Sequence, residues 1–302
     1  MISLAGLARL VEAHRDDLDV EVAPFAIGGR SFDTDREPVL MGVVNLSRDS
    51  AYRESVAVSL ESAVRKARVQ VAQGAHVIDV GAESSDAAAR AVSPEEQARS
   101  VAPVIERITE AGIATSIEGY DVAVVRAGLA AGASVVNLTG SDVDDAMFEL
   151  AAEHDASVVL CHVLGRHARA LDDTEVDTDP VPRMLEAFGR RIDRAREHGV
   201  GSLAIDPGIG FGYRLDPAER AQYQAAALVN TFRLRRLGVP VCHALPHAFD
   251  IFEDQFRSAE GFFAVLAHLG STGIYRVHEV PLVRSVLDAL AAFDLDGTPP
   301  AG

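Results

Sequence analysis

Several residue types that would narrow the function of this chain are scarce or missing. The 302 residues include two cysteines, no tryptophan and one lysine, Lys66, among 28 lysine and arginine residues. Cys161 and Cys242 match neither a zinc-finger spacing nor a CxxC redox motif, so we expect two reduced thiols in the core. The apolar runs have the length of strands and fall far short of the roughly 20 residues that a membrane-spanning helix needs.

Positive charge is also in short supply. The formal net charge is −17 at pH 7, which repels nucleic acids and anionic membranes and argues against both as partners. Residues 1–17 are amphipathic and end in acidic residues, without the basic start and the cleavage site of a secretory signal. We therefore expect a soluble, cytoplasmic protein whose partner is a small molecule.

The chain has a regular alternation of apolar, strand-like runs with helical patterns, which predicts parallel strands joined by crossover helices. Because the chain is long enough for one large barrel, eight such units favour a closed (β/α)8 TIM barrel over an open α/β sheet. The predicted strands are Val39–Asn45, His76–Gly81, Ala114–Glu118, Ser134–Leu138, Ser157–His162, Ser202–Asp206, Val239–His243 and Gly273–His278.

Residues 21–36 precede the first barrel strand and read as a β-hairpin, because Gly28-Gly29 suits a tight primed turn. We expect this hairpin to cover the bottom of the barrel. The predicted domain organisation is an N-terminal segment with the hairpin at 1–37, the barrel at 38–293 and a flexible tail at 294–302, which is short and rich in proline and glycine.

Polar side chains stand at the C-terminal ends of the predicted strands, where active sites of such barrels form. One set offers the carboxylates and amide that could pair with the N–H groups and acceptors of a planar nitrogen heterocycle: Glu118, Asn137 and Asp206. A second set offers an amide, a guanidinium and an imidazole, which suit an anion or pyrophosphate: Asn45, Arg276 and His278. Asp79 is predicted to support the site from behind.

Four stretches of the sequence resemble motifs of the dihydropteroate synthases, in the family's order and at the expected strand ends. They are Met41–Ser50, Val77–Ser84, Asp206–Gly212 and Arg276–Val280. The last two are the most specific, and the third is close to identical to the family's sixth-strand motif. The resemblance extends from about Phe25 to Phe293 and implies a TIM barrel that binds a pterin at its C-terminal mouth.

The resemblance also implies a reaction and its participants. Members of the family join a hydroxymethyl-dihydropterin pyrophosphate to p-aminobenzoate and release pyrophosphate, with magnesium, as a step of folate biosynthesis. The implied pterin-binding residues are Glu118, Asn137 and Asp206. The implied pyrophosphate-binding residues are Asn45, Arg276 and His278. Asn45 is the implied ligand of Mg²⁺, and a homodimer is expected.

The chain departs from the family where the second substrate should bind. Pro246 stands in place of the lysine that contacts the pterin, and Lys66, on the first barrel helix, cannot replace it. His247 stands in place of a serine that helps to seat p-aminobenzoate, and it is our candidate for a catalytic residue. After Ser85, Asp86 replaces an arginine and puts a negative charge beside the expected benzoate. Ser85, Asp86 and His247 thus define the altered second-substrate region.

Two further departures concern the lid and the pterin pocket. In the loop after the first strand, Arg53 replaces an acidic residue and the two glycines of the family's lid are missing, so this lid should fold differently. Glu118 replaces an aspartate, and its extra methylene carries the carboxylate about 1.5 Å further into the pocket. Gly119, where the family has threonine, is predicted to make room for that longer side chain.

These departures favour a dihydropteroate synthase-like protein that binds a pterin-type ligand and has diverged from, or lost, the normal synthase reaction. The first alternative is an active dihydropteroate synthase, and the second is a non-catalytic pterin-binding protein. A third, from another class, is a metal-dependent hydrolase, suggested by four histidines at the predicted mouth. These are His162, His243, His247 and His278.

Overall fold

The structure, a computed structural model, describes residues 2–47, 49, 52–85, 89–172, 177–211 and 215–293. Its eight barrel strands are β3 (Val39–Asn45), β4 (Val77–Gly81), β5 (Thr115–Gly119), β6 (Val135–Leu138), β7 (Ser157–Cys161), β10 (Leu203–Asp206), β11 (Cys242–Ala244) and β12 (Ile274–Val277). Neighbouring strands are parallel and follow the chain order around the sheet, with β12 beside β3. Ile205 closes the ring, because it forms a parallel bridge with Val241 and its N–H donates to the carbonyl of Pro240 at 3.1 Å. The predicted (β/α)8 barrel is confirmed.

Helices surround the strands as the crossover pattern requires. They are α1 (Leu4–Ala13), α2 (Leu60–Ala72), α3 (Pro94–Glu110), α4 (Val122–Ala130), α5 (Asp144–Glu153), α6 (Val181–Glu197), α7 (Pro217–Val229), α8 (Phe249–Phe252), α9 (Ala259–Leu269) and α10 (Val280–Ala292). Several begin with side-chain caps that the sequence predicts. Ser93 accepts from the N–H of Glu96 ahead of Pro94, and Asp216 forms a capping box with Glu219.

The predicted hairpin is present as β1 (Phe25–Ile27) and β2 (Arg30–Phe32), with positive φ at Gly28 (56°) and Gly29 (80°). It lies at the N-terminal ends of the strands, where Ser157 Oγ donates to the carbonyl of Ala26 at 2.7 Å. Its apolar side chains join the inward-facing side chains of the strands in one buried cluster. The bottom of the barrel is therefore filled, and the opposite end carries the polar strand termini.

Apart from the seventh strand, six strands begin one residue later than predicted or end one residue away from the predicted end, and two local features differ more from the sequence prediction. The seventh strand was expected at Val239–His243 but begins at Cys242, because Pro240 has no N–H to give to a ladder. A second hairpin, β8 (Gly165–His167) and β9 (Ala170–Leu171), follows β7 and was not predicted. Its sequence lacks apolar alternation, and it depends on Gly165, whose φ is 140° and where a Cβ would lie 2.2 Å from the carbonyl oxygen of Ala170.

The expected thiol state of the two cysteines fits the fold. Cys161 and Cys242 are buried and unpaired with each other, and burial raises the pKa of both thiols. Across the described residues, none of the helices combines the length and the apolar character that a bilayer span requires. The domain limits at residues 37 and 293 stay predictions, and the tail at 294–302 lies outside the described residues.

Candidate active site

A buried polar group occupies the centre of the C-terminal mouth. Arg276, on β12, donates through Nε to Asp79 Oδ2 at 2.7 Å and through Nη2 to Glu118 Oε2 at 2.7 Å. Asn137 Nδ2 donates to the same Asp79 oxygen at 3.0 Å, and Cys161 Sγ contacts Asn137 Oδ1 at 3.3 Å. Five strands thus contribute to one network, and Asp79 at its base is fully buried, in the supporting position that the sequence predicts.

Asp206 completes this group at the end of β10. Its Oδ1 accepts from the N–H of Gly208 at 2.8 Å, which fixes the carboxylate against its own loop. Gly208 has a φ of 70° and lies so close to the loop after the neighbouring strand β7 that a Cβ would stand 2.0 Å from the carbonyl oxygen of His162. The Asp-Pro-Gly motif is therefore a structural requirement of the strand end as well as a source of its carboxylate.

The central network holds more negative than positive charge. Burial raises the pKa of Asp206 to about 6, against the lowering effects of the N–H of Gly208 and of Arg276. Burial also raises the pKa of Glu118 to about 6, Arg276 opposes this rise, and Asp79 adds to it. Asp79 Oδ1 is buried and accepts no hydrogen bond among the described residues. Such a pocket favours a ligand that brings hydrogen-bond donors to the acids.

The extra length of Glu118 is accommodated in a place that the sequence did not predict. A Cβ on Gly81, in the neighbouring strand β4, would stand 2.8 Å from Glu118 Oε2, so the side chain lies across that glycine to reach Arg276. The prediction for Gly119 was wrong. A Cβ there would face Val124 and Val125 of α4, because alternate residues of β5 point outward to the helices.

The second predicted set is divided in the structure. Arg276 belongs to the central network, whereas Asn45 Nδ2 donates to Ser55 Oγ at 2.6 Å in the loop after β3. Strand β12 ends at Val277, and His278 turns away toward α9. The structure therefore does not assemble Asn45, Arg276 and His278 into one contact group.

His278 belongs to another buried cluster, with Glu260 of α9, His247 and Tyr52. Glu260 Oε1 lies 3.0 Å from His278 Nδ1 and 3.3 Å from His247 Nε2. The N–H groups of His278 and Glu279 also donate to this carboxylate, at 2.9 and 2.8 Å. Burial alone would raise the pKa of Glu260. The hydrogen bonds and charges of the two imidazoles outweigh this effect and lower the pKa to about 2.

Tyr52 lies over this cluster from the loop after β3. Its ring is 4.4 Å from the ring of His278 and 4.6 Å from that of His247, between centroids. Its hydroxyl donates to Glu279, which also accepts from Arg257 Nε at 2.6 Å. The aromatic ring of the altered lid thus covers His278, one of the predicted pyrophosphate-binding residues. Lys66 is not a substitute for the missing lysine, since its Nζ donates to the exposed backbone carbonyl of Glu54.

The second-substrate region is only partly described. Asp86 lies outside the described residues, and His247 follows β11, which β12 and β3 separate from the strand that precedes Ser85. Ser85 lines a small cavity beside Glu83, whose carboxylate accepts from Tyr120 at 2.5 Å. Arg169, from the β8–β9 hairpin, donates to the carbonyls of Ser84 at 2.6 Å and Ala89 at 2.8 Å, so it braces this loop.

The four histidines of the hydrolase alternative do not meet at one point. His243 is fully buried, pairs with Thr231 Oγ1 at 2.8 Å, and has a pKa lowered to about 3 by burial. His162 faces Phe188, and burial lowers its pKa to about 4. Only His247 and His278 approach each other, with ring centroids 4.7 Å apart.

Comparisons with known proteins agree with this geometry. The profile of the pterin binding enzyme family matches residues 41–278. A dihydropteroate synthase of Bacillus subtilis is 32% identical over 265 residues, which cover 84% of this chain and 88% of that protein. The structure of Xanthomonas albilineans dihydropteroate synthase with 4-aminobenzoic acid superimposes with a TM-score of 0.75 at 30% identity, over 92% of this chain and 100% of the other.

A further structure of the X. albilineans enzyme, in complex with 7,8-dihydropteroate, covers 91% of this chain and 100% of its own, with a TM-score of 0.71 and 29% identity. The family profile spans well over half of the chain, and the B. subtilis relative matches along most of both proteins. The expectation drawn from the four motifs is therefore confirmed: the chain belongs to the dihydropteroate synthase family of pterin-binding enzymes.

Proposed function

We propose that this protein binds a pterin-type ligand at the mouth of the barrel and has reduced or no ordinary dihydropteroate synthase activity. The observation that carries the proposal is the central network, in which side chains of five strands converge around Asp79 and Arg276, with Asp206 beside them. It supplies three carboxylates, an amide and a guanidinium, which complement a ring bearing several N–H groups and acceptors.

Glu118 and Asp206 are suited to form hydrogen bonds with such a ring. With pKa values of about 6, Glu118 and Asp206 exchange protons near neutral pH, so each can accept a hydrogen bond when ionised or donate one when protonated. The rigid fork of Arg276 holds Glu118 in place until the ligand arrives. A bound ligand would then compete with Arg276 for the carboxylate of Glu118, and the ion pair between Glu118 and Arg276 would be weakened.

The predicted magnesium ion fits Asn45 on chemical grounds. The amide nitrogen of Asn45 donates to Ser55 at 2.6 Å, and an amide carbonyl oxygen is a ligand that this hard cation accepts. Asn45 would hold Mg²⁺ together with phosphate oxygens of a substrate, and the ion would supply charge neutralisation for a leaving pyrophosphate.

Three features argue against a normal rate of synthesis. Buried Pro246 provides no cation where the family has lysine. Arg276 is engaged with two carboxylates rather than with Asn45 and His278. Tyr52 covers His278, on the side where pyrophosphate is expected. Each of these features removes positive charge from the place where the pyrophosphate would leave, or blocks the ligand from reaching it. The carboxylates that would bind the pterin ring are still present.

Isothermal titration of the full chain tests the proposal. In the absence of Mg²⁺, we expect a hydroxymethyl-dihydropterin pyrophosphate and the same pterin without pyrophosphate to bind with similar affinity. Asp206→Asn should abolish both signals, whereas Asp288→Asn, at an exposed acid of α10 paired with Arg284, should leave them unchanged. Folded protein that gives no heat with either ligand at high micromolar concentration would overturn the pterin site.

An active synthase is the alternative that the B. subtilis relative favours, at 32% identity over most of both chains. A strain without its own dihydropteroate synthase separates the two possibilities. We expect expression of this chain to give little or no growth, and growth at the normal rate would establish ordinary synthesis. The predicted homodimer stays a prediction, for which exposed Phe262 and Leu269 of α9 offer an apolar surface.

A further inference from the structure

We infer that His247, Glu260 and His278 bind a divalent transition-metal ion of the Zn²⁺ class. This site is separate from the Mg²⁺ ligand expected at Asn45 and does not depend on the ring pocket. Two imidazoles and one carboxylate form a donor set that suits zinc, iron and cobalt better than magnesium, which prefers oxygen alone.

The distances between the donor atoms fit one ion. His278 Nδ1 and His247 Nε2 lie 3.0 and 3.3 Å from Glu260 Oε1, and all three donors lie within 4.8 Å of one another. In a tetrahedral zinc site with bonds of about 2.0–2.1 Å, neighbouring ligand atoms are about 3.3 Å apart. A small shift of the side chains would therefore place the three donors around a single ion.

The imidazole of His247 provides an independent sign of a missing partner. Its Nε2 is enclosed and forms no hydrogen bond among the described residues, although Glu260 Oε1 is only 3.3 Å away. A buried ring nitrogen whose hydrogen-bonding capacity is not met within the described residues is able to ligate an ion.

The surroundings hold the donors in place. The N–H groups of His278 and Glu279 fix the carboxylate of fully buried Glu260, as outer hydrogen bonds commonly do for a ligating acid. Tyr52 stacks on the ring of His278 and packs against the tilted ring of His247, which limits the rotation of both. Three protein ligands leave a further position for water or for a ligand oxygen, beside the predicted anion side of the mouth.

Metal titration of the chelator-treated full chain tests this site with Co²⁺, whose visible absorption reports a tetrahedral environment, and with Zn²⁺ by competition. We expect one ion per chain and a rise in melting temperature on binding. His247→Ala and His278→Ala should each weaken binding at least tenfold, whereas His268→Ala, on the same helix as Glu260, should leave it unchanged. A large excess of Mg²⁺ should not displace the bound ion.

The inference is overturned if the native chain binds no stoichiometric Co²⁺ or Zn²⁺, or if His247→Ala and His278→Ala, shown to be folded by circular dichroism, bind as tightly as the native chain. Glu260→Gln provides a second check, because it keeps the shape and the backbone hydrogen bonds but removes the charge. Failure of this site is distinguishable from failure of the pterin site, since the Asp206→Asn titration uses neither histidine.

Discussion

The two polar groups at the mouth of the barrel have opposite designs. The central network around Arg276 is built from strand ends, with three carboxylates near one cation, and burial raises the pKa of two of those acids. The cluster around Glu260 has one carboxylate and several donors, and its pKa falls to about 2. The network around Arg276 can thus accept hydrogen bonds from a ligand, whereas the cluster around Glu260 has two imidazoles for one carboxylate.

The comparison also separates what the family keeps from what this chain has changed. The central group comes from motifs shared with dihydropteroate synthases, and its one departure, Glu118, is accommodated by Gly81. The Glu260 cluster contains His247, which departs from the family, and is covered by Tyr52 of the altered lid. The departures that the motif comparison predicts therefore lie on the side where the pyrophosphate and the second substrate are expected.

The largest effect is expected from the removal of the central cation. Arg276→Met should lower the free energy of unfolding by about 3–5 kcal/mol, because Asp79 and Glu118 would remain buried without their partner. Urea unfolding measures the loss, and Arg257→Met, which removes an exposed arginine from Glu279, is the matched control with an expected cost below about 1 kcal/mol. Equal losses in the two variants would mean that the buried ion pairs of Arg276 contribute no more to stability than an exposed ion pair does.

The strands and their polar ends could be predicted because they depend on local patterns. Apolar runs define the eight strands, and parallel topology brings their C-terminal ends together, so Glu118, Asn137 and Asp206 were expected to meet. The partition of Arg276 and His278 was not predictable, since it depends on β12 ending between them. Glu260 and Arg169 gave no signal, because their partners come from distant segments that only the folded chain brings together.

The pH dependence of stability should differ in sign between the two groups. The folded-state pKa of Asp206 is about 6, above the value of about 3.9 of an unfolded chain. The native state therefore holds the proton more tightly, and this contribution is full below about pH 4 and is lost as the pH rises to 6. The expected loss is about 2–3 kcal/mol. Glu260, at about 2, instead contributes above about pH 4.5 and loses that contribution in acid.

Unfolding free energies measured between pH 2 and 8 check this contrast. Relative to the native chain, Asp206→Asn should show a smaller fall in stability between pH 4 and 6, because only Glu118 still contributes to it, and Glu260→Gln should keep the full fall. If both variants retain the native slope in that range, then Asp206 does not have the raised pKa that its burial implies.

A smaller effect is expected at Glu118, where the two proposed roles of the central group can be separated. Glu118→Gln should weaken binding of a dihydropterin at least tenfold, or about 1.4 kcal/mol, because a carboxylate acceptor is lost. The melting temperature should change by only a few degrees, since Asp79 still pairs with Arg276. Calorimetric titration and thermal unfolding give the two numbers. Unchanged affinity for an identified ligand would make Glu118 a structural residue.

The smallest effect concerns Gly81, and it tests whether the position of Glu118 is set by its neighbour. Gly81→Ala should cost less than about 1 kcal/mol of stability, because the added methyl meets only the end of a flexible side chain, 2.8 Å away. Glu118 would have to move from Arg276, so ligand affinity should fall by a few-fold. Gly119→Ala, which adds its methyl near Val124 and Val125, is the control and should not change affinity.

A double-mutant cycle completes this test. If Gly81 acts only through Glu118, Gly81→Ala should have no further effect on ligand affinity in the Glu118→Gln background, since the displaced carboxylate is already gone. Calorimetric titration of the four proteins gives the coupling free energy directly. Additive losses would show that Gly81 contacts the ligand itself, which would place the ring against β4 instead of between Glu118 and Asp206.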